Sequence, residues 1–184
     1  MGSINGVFND AIALVKNPKA FMTSRADSAP PVMDTITKYV AILAVIPFIF
    51  TLLGDAIFGR SIGYAIVAGI VSYIFALVSV AVVGFIVWKL APNFSSVSDQ
   101  NKATKLVSYV YTPVFLISVL NIIPGLTVLN ILGLLYGLYI LYIGLPIVLK
   151  TPTDKVVVYV IVTLVVTFVW YFILAAIAGA LAVL

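Results

Sequence analysis

The stretch VSYVYTPVFLISVLNIIPGL, residues 107–126, is apolar along most of its length but contains residues that usually interrupt an apolar helix. Pro113 lies near its centre, and Asn121 precedes Pro124 and Gly125 near its end. Proline removes a backbone hydrogen bond and bends a helix. Membrane helices tolerate such bends because neighbouring helices and hydroxyl side chains can satisfy the carbonyl groups that proline frees. The stretch is therefore typical of a helix packed among other helices in a membrane.

The composition of the whole chain indicates an integral membrane protein. Of its 184 residues, 64% are hydrophobic and 9% are charged, whereas about a quarter of the residues in a soluble domain carry a charge. The sequence contains no cysteine and no histidine, so neither a disulfide nor a thiolate or imidazole metal site can form. We therefore predict no metal site and no cofactor.

Five apolar stretches are long enough to cross a membrane, which takes about 20 residues in a helix. Lipid cannot satisfy backbone polar groups, and these stretches lack the alternation of barrel strands, so we predict helices. The sequence thus predicts an all-α membrane protein whose five-helix transmembrane bundle occupies residues 34–184, after an N-terminal region at 1–33. The predicted spans are residues 39–58, 62–88, 106–123, 126–149 and 156–184.

The distribution of basic residues predicts how the bundle lies in the membrane. Among the 10 lysines and arginines, only Arg60 lies between the first and second predicted spans. The others precede the first span or lie in the second and fourth connections. Because cytoplasmic segments carry the excess of basic residues, we predict a cytoplasmic N-terminus and a non-cytoplasmic C-terminus. This topology also explains the net charge of +4, so no nucleic-acid partner is predicted.

The region before the bundle contains an amphipathic segment. In NGVFNDAIALVK, residues 5–16, the apolar side chains occupy one arc of a helix and the polar ones the other. Asn17 and Pro18 suit the cap and first turn of a second short helix. Two arrangements are open: the helices lie in the membrane interface with lysines near lipid phosphates, or they pack on the end of the bundle.

Pro113 in the third span has polar neighbours that allow two interpretations. Tyr109, Tyr111 and Thr112 all lie within about one turn of the proline. In a structural interpretation, their hydroxyls satisfy carbonyl groups at a packing kink. In a functional interpretation, they form a hinge or line a polar cavity for a ligand.

Asn121, Pro124 and Gly125 mark the connection between the third and fourth spans. Pro124 ends one helix, and Gly125 allows the backbone conformations that a tight reversal needs. We therefore predict that the two spans form an antiparallel hairpin and that Asn121 ties down its turn.

The fourth span combines closely spaced glycines with tyrosines. Gly133 and Gly137 have GxxxG spacing, and Gly144 lies about two turns beyond Gly137, so a neighbouring helix can approach closely, within the chain or in a dimer. Tyr139 and two further tyrosines lie at mid-depth, away from the ends where aromatic belts form. At least one of these hydroxyls is expected to point inward to a partner.

The sequence lacks the side chains that catalysis would need. A serine–histidine pair is impossible without histidine, and a P-loop cradle is absent. Intramembrane proteolysis needs two carboxylates at membrane depth, and only Asp55 comes near, with Arg60 available to pair with it. We therefore predict a non-enzymatic protein.

The C-terminal half resembles a known family. KLVSYVYTPVFLISVLNIIPGL followed by LGLLYGLYILYIGLPIVLKTPTDKVVVYVIV is similar to the Yip1 domain family in its prokaryotic, more closely its archaeal, form. The resemblance is densest over residues 102–165 and extends loosely to the amphipathic N-terminal segment. It implies five spans with a cytoplasmic N-terminus, here in the plasma membrane of a prokaryote.

The resemblance also implies a function. Eukaryotic members are implicated in membrane traffic and partner small GTPases, but their long acidic N-terminal region is missing here, so a small GTPase partner follows only by analogy. We predict a scaffold or membrane-organising protein whose partners are the lipid bilayer, other membrane proteins or further copies of itself. The alternative is a small permeation or lipid-binding protein that uses the kinked third and fourth spans. A continuous cavity lined by Tyr111, Thr112, Ser118 and Tyr139 would favour that alternative.

Single cysteines test the predicted orientation, because the natural chain has none. Lys102→Cys and Lys155→Cys are expected to react with a membrane-impermeant maleimide only from the cytoplasmic side, and Leu184→Cys only from the other side. Labelling of right-side-out and inverted vesicles measures this. Reaction of Leu184→Cys from the cytoplasmic side would contradict the five-span topology.

Overall fold

The computed structural model describes residues 3–181, so the predicted outer terminus at Leu184 lies outside the described residues. Within the described range all regular secondary structure is helical, and five helices are long and apolar enough to cross a membrane. The predicted all-α membrane fold is confirmed. The helices are α1 (Ile4–Lys16), α2 (Pro18–Ser24), α3 (Val32–Ile57), α4 (Ile62–Leu90), α5 (Gln100–Ile117), α6 (Asn130–Val148) and α7 (Val156–Leu181).

Two spanning helices begin earlier than predicted because their first turns are polar. The first turns of α3 contain an ion pair in which Lys38 Nζ lies 2.8 Å from Asp34 Oδ2. Asp99 caps α5 by accepting a hydrogen bond from the backbone N–H of Lys102 at 3.1 Å. Side-chain caps and i,i+4 ion pairs stabilise helix ends where hydropathy is low. Hydropathy alone therefore underestimates the length of α3 and α5.

α3 is not a regular α-helix throughout. It contains a π-helical turn at Ile36–Val40 and breaks at Ala44, before regular helix resumes at Val45–Ile57. Pro47 lies in the first turn of the resumed segment, where a missing N–H costs no helical hydrogen bond. The position of this proline accounts for the break just before it.

α5 lies at the centre of the bundle. In its most apolar stretch 61% of the residues are buried, compared with 17% in α7. It packs against α6 along its length, and against α4, α3 and α1 on its other sides. Its polar side chains must therefore find partners within the protein, since neither water nor lipid can supply them.

The glycines of α6 let that helix approach α5 closely. A methyl group at Gly137 would lie 2.6 Å from the backbone oxygen of Val110, and one at Gly133 would lie 3.0 Å from Cα of Val114. Gly144 also faces α5, nearer the other end. Residue numbers rise along α6 as they fall along α5, so the two helices are antiparallel. The glycine spacing serves packing within the chain.

The connection between α5 and α6 consists of two short 3₁₀ segments, at Ser118–Ile122 and Pro124–Leu129. The α-helical part of the fourth span therefore begins later than predicted. The first segment packs on α3 so closely that a methyl group at Gly54 would lie 2.5 Å from the backbone oxygen of Asn121. A methyl group at Gly125 would meet no other described atom within 4 Å. We call this end of the bundle the hairpin end.

α1 and α2 pack on the opposite end of the bundle, where α3, α5 and α7 begin; we call it the basic end. The apolar face of α1 is buried against α3 and α5 through Val7, Ala11 and Leu14. Asn17 Oδ1 accepts a backbone hydrogen bond at 3.1 Å and Pro18 occupies the first turn of α2, as predicted. Of the two arrangements left open by the sequence, the structure shows packing on the bundle.

Gly137→Ala is expected to lower the free energy of unfolding by about 1 to 3 kcal/mol, because the added methyl group pushes two helix backbones apart. Gly63→Ala is the matched control, since a methyl group there would meet no other described atom within 4 Å. It is expected to leave stability unchanged or raise it by up to about 1 kcal/mol, because alanine favours helix more than glycine does. Thermal unfolding in detergent measures both. Equal melting of Gly137→Ala and the natural protein would contradict the close contact.

Candidate functional site

Two cavities lie beside α7. Cavity I has a volume of about 350 Å³, lies between α5, α6 and α7, and is lined mainly by aliphatic side chains. Cavity II has a volume of about 470 Å³, lies nearer the hairpin end, and has serines and asparagines in its lining. The aliphatic lining of cavity I includes Val107, Val110, Val114, Leu134, Leu138 and Leu164. The polar lining of cavity II includes Ser72, Ser79, Ser118 and Asn121.

A pair of tyrosines lines both cavities. The hydroxyl oxygens of Tyr111 in α5 and Tyr171 in α7 are 2.8 Å apart, and both residues line both cavities. Beside them, Trp170 donates its Nε1–H to Ser79 Oγ in α4 at 3.4 Å. Because an unpaired hydroxyl is costly in an apolar region, the tyrosine pair holds α5 and α7 at a defined separation in mid-bundle.

Asn130 connects the polar groups of the hairpin end with cavity I. Its Nδ2 donates to Asn121 Oδ1 at 2.7 Å, and Asn121 Nδ2 donates to Thr51 Oγ1 at 3.4 Å. This chain of side chains ties the connection between α5 and α6 to α3. Asn130 Oδ1 and Thr163 Oγ1 are buried and have no hydrogen-bond partner among the described residues, and both residues line cavity I. Cavity I therefore has an apolar lining with two unsatisfied polar atoms.

Among the polar residues near Pro113, Tyr111 alone lines the cavities beside α7. Thr112 is fully buried, and its Oγ1 lies 2.9 Å from the hydroxyl of Tyr39 in α3. Thr112 also donates to the backbone oxygen of Ser108 at 2.9 Å. The Thr112 hydroxyl therefore joins α5 to α3. The carbonyl group to which it donates belongs to Ser108 and is not the one that Pro113 frees.

Tyr109 and Tyr139 lie in opposite environments. Tyr109 is 1% exposed, and its ring meets those of Phe21 and Tyr39 edge-on, with centroids 5.3 and 5.7 Å apart. Tyr139 is 48% exposed on the outside of α6 and does not line cavity I or II. The α6 tyrosine that points inward is Tyr136, whose hydroxyl donates to a backbone oxygen of α1 at 2.8 Å. Of the four residues whose common cavity would have favoured ligand binding, Tyr111 and Ser118 both line cavity II, whereas Thr112 and Tyr139 line neither cavity I nor cavity II.

The remaining predicted residues have structural surroundings. Asn121 lines cavity II, while the backbone of Pro124 and Gly125 begins the second 3₁₀ segment of the connection between α5 and α6. Asp55 forms the predicted ion pair, with its Oδ1 3.4 Å from Arg60 Nε. Among the described residues, no three acidic side chains lie close enough together to hold a metal ion.

No sequence pattern predicted a role for Asn130, Thr163 or Tyr171. Asn130 follows Asn121 across the same turn, and two amides flanking one turn are a signal for a mutual hydrogen bond. Thr163 and Tyr171 are polar-tipped residues about two helical turns apart in an otherwise apolar span. Such spacing indicates one face of the helix, but it does not indicate which helix that face meets.

Comparison with known proteins agrees with the architecture. The family model described as the Yip1 domain matches residues 12–177. Two curated relatives, the inner membrane protein YohC of Escherichia coli strain K12 and that of strain O6:H1, are each 27% identical over an alignment of 123 residues; the match covers 60% of this chain and 63% of theirs. The chain therefore spans less than two thirds of the length of these relatives. No solved structure matches. Since the family model covers most of the chain, including all five spanning helices for most or all of their length, the protein belongs to the Yip1 domain family.

Proposed function

We propose that this Yip1 family protein is a non-enzymatic membrane-organising protein that binds a neutral lipid in cavity I. We place it in the plasma membrane of a prokaryote, with its N-terminus in the cytoplasm. Cavity I supports this function most directly, because its size and aliphatic lining are typical of sites for apolar ligands. α7 forms one wall and is the least buried spanning helix, so lipid has a short path to the cavity.

The polar atoms of cavity I favour a lipid with a free hydroxyl. Asn130 Oδ1 can only accept a hydrogen bond, and Thr163 Oγ1 can accept or donate one. A buried polar atom without a partner costs about 1 to 3 kcal/mol, so a ligand hydroxyl that reaches Asn130 recovers part of that cost. Among the residues that the structure describes, none of the charged ones lines cavity I, so a charged ligand group would remain uncompensated there. A neutral lipid such as diacylglycerol has a free hydroxyl and carries no charge.

Permeation is less well supported than lipid binding. Cavities I and II both lie beside α7, and neither is lined by a residue of α1, α2 or the connections at the basic end. They therefore do not form a path that reaches the basic end. Homo-oligomers, other membrane proteins and a small GTPase stay predictions, and lipid binding does not depend on them.

Leu138→Trp is expected to weaken lipid binding several-fold, because Leu138 lines cavity I and the larger ring would fill it. Leu135→Trp is the matched control: Leu135 lies on the same helix, is 55% exposed and lines neither cavity. Photocrosslinking of a diazirine-bearing diacylglycerol to the protein in nanodiscs, with the crosslinked residues mapped by mass spectrometry, measures the effect.

Crosslinks are expected on α5, α6 and α7 around cavity I, reduced in Leu138→Trp and unchanged in Leu135→Trp. Equal crosslinking in both variants would mean that the lipid is only part of the surrounding bilayer. That result would contradict a lipid site in cavity I.

A further inference from the structure

Lys105 is a buried positive charge at the basic end. Its side chain is 1% exposed. Its ammonium group donates to the backbone oxygen of Arg25 at 2.7 Å, to that of Ser28, and to Ser28 Oγ at 3.2 Å. None of the ion pairs formed by the described residues includes Lys105. A buried charge that is held by neutral oxygens alone favours the binding of an anion nearby.

Lys105 lines a third cavity, cavity III, of about 200 Å³ between α3 and α5. The other charged residues in its lining are Lys38 and Asp34, which neutralise each other in an ion pair of 2.8 Å. The lining therefore carries a net positive charge. Four further charged residues lie near enough to interact electrostatically with the Lys105 ammonium group: Lys102, Asp27, Asp99 and Arg25.

Two buried hydroxyls at cavity III have no hydrogen-bond partner of normal geometry among residues 3–181. They are those of Thr35 and Tyr109, which line the cavity and are 5% and 1% exposed. The guanidinium of Arg25, the residue whose backbone oxygen accepts from Lys105, lies close to the Tyr109 hydroxyl. Both hydroxyls can donate a hydrogen bond. Cavity III thus combines a buried cation with unused donors.

Arg25 keeps its charge at this position. Its Nη2 lies 2.8 Å from Asp10 Oδ1. Burial lowers the pKa of the guanidinium, but the hydrogen bond and the charge of Asp10 outweigh burial and raise the pKa above its usual value. The guanidinium therefore remains charged beside Tyr109, which lines the cavity.

We propose that cavity III binds a phosphate group. A phosphate supplies several acceptor oxygens for the unused donors. It also brings a negative charge close to the ammonium group of Lys105, which has no ion-pair partner among the described residues. The cavity lies at the basic end, where α3 begins, which is the level of lipid headgroups for a bundle that spans a membrane. The phosphate is that of an anionic lipid headgroup or of a soluble phosphate compound. This site shares no lining residue with cavity I and is independent of neutral-lipid binding.

The purified full-length protein in detergent is titrated with three probes: inorganic phosphate, dioctanoyl phosphatidic acid and dioctanoylglycerol. Thermal shift and equilibrium binding measure each interaction. We expect a phosphate-bearing probe to bind and to raise the melting temperature through a site that dioctanoylglycerol does not compete for. Binding of the lipid alone identifies a headgroup site, and equally tight binding of inorganic phosphate identifies a soluble ligand. Binding of neither phosphate-bearing probe would overturn the proposal.

Thr35→Val and Tyr109→Phe are the informative variants, because each removes one unpartnered hydroxyl and little else. Each is expected to weaken phosphate binding about tenfold or more, as loss of a hydrogen bond to a charged group does. Neither is expected to lower the melting temperature of the ligand-free protein. Substitution of Lys105 is less informative, since Lys105 also holds the segment at Arg25 and Ser28.

Thr104→Val is the matched control for these variants. It removes a buried hydroxyl of α5 that also has no hydrogen-bond partner among the described residues but that lies outside the lining of cavity III. It is expected to leave both the melting temperature and phosphate binding unchanged. Unchanged phosphate binding in the Thr35→Val, Tyr109→Phe double variant would overturn the site even if the protein binds phosphate elsewhere.

Discussion

The contact between α5 and α6 is the constraint on which the other packing depends. Gly137 brings the backbone of α6 to the backbone of α5 at Val110, and no side chain larger than hydrogen fits there. This close approach makes α5 the central helix and leaves α3, α4 and α1 to cover its remaining sides. The polar side chains of α5 are thereby enclosed, and each must find a partner inside the protein.

Three of those polar side chains are satisfied by long-range contacts. Thr112 meets Tyr39 in α3, Tyr111 meets Tyr171 in α7, and Lys105 meets the segment between α2 and α3. Each contact joins α5 to a different part of the chain. The hydroxyl and ammonium groups that would be costly in a lone apolar helix thus hold the surrounding helices in place.

Of the six buried side-chain atoms that have no hydrogen-bond partner among the described residues, four belong to residues that line a cavity. Asn130 and Thr163 lie at cavity I, between α5, α6 and α7, while Thr35 and Tyr109 lie at cavity III, between α3 and α5. The two sites differ in charge, since no charged residue in the described part of the chain lines cavity I, whereas Lys105 lines cavity III. Cavity I therefore suits an apolar, neutral ligand and cavity III an anionic one. The two cavities lie at different depths of the same bundle.

The sequence by itself determined the features that depend on neighbouring residues along the chain. Hydropathy defined the five spans, Asn17 and Pro18 marked the start of α2, and the spacing of Gly133 and Gly137 indicated a close helix contact. The tertiary structure alone decided which helix fills that contact, that α1 packs on the bundle, and that Tyr139 faces outward while Tyr171 meets Tyr111. It also decided that Lys105, which the sequence presents as one of several basic residues at a span end, is buried beneath a segment nearly 80 residues away. Periodicity fixes the face on which a side chain lies, but the partner of that face depends on how distant helices pack, and this information is not contained in any local pattern.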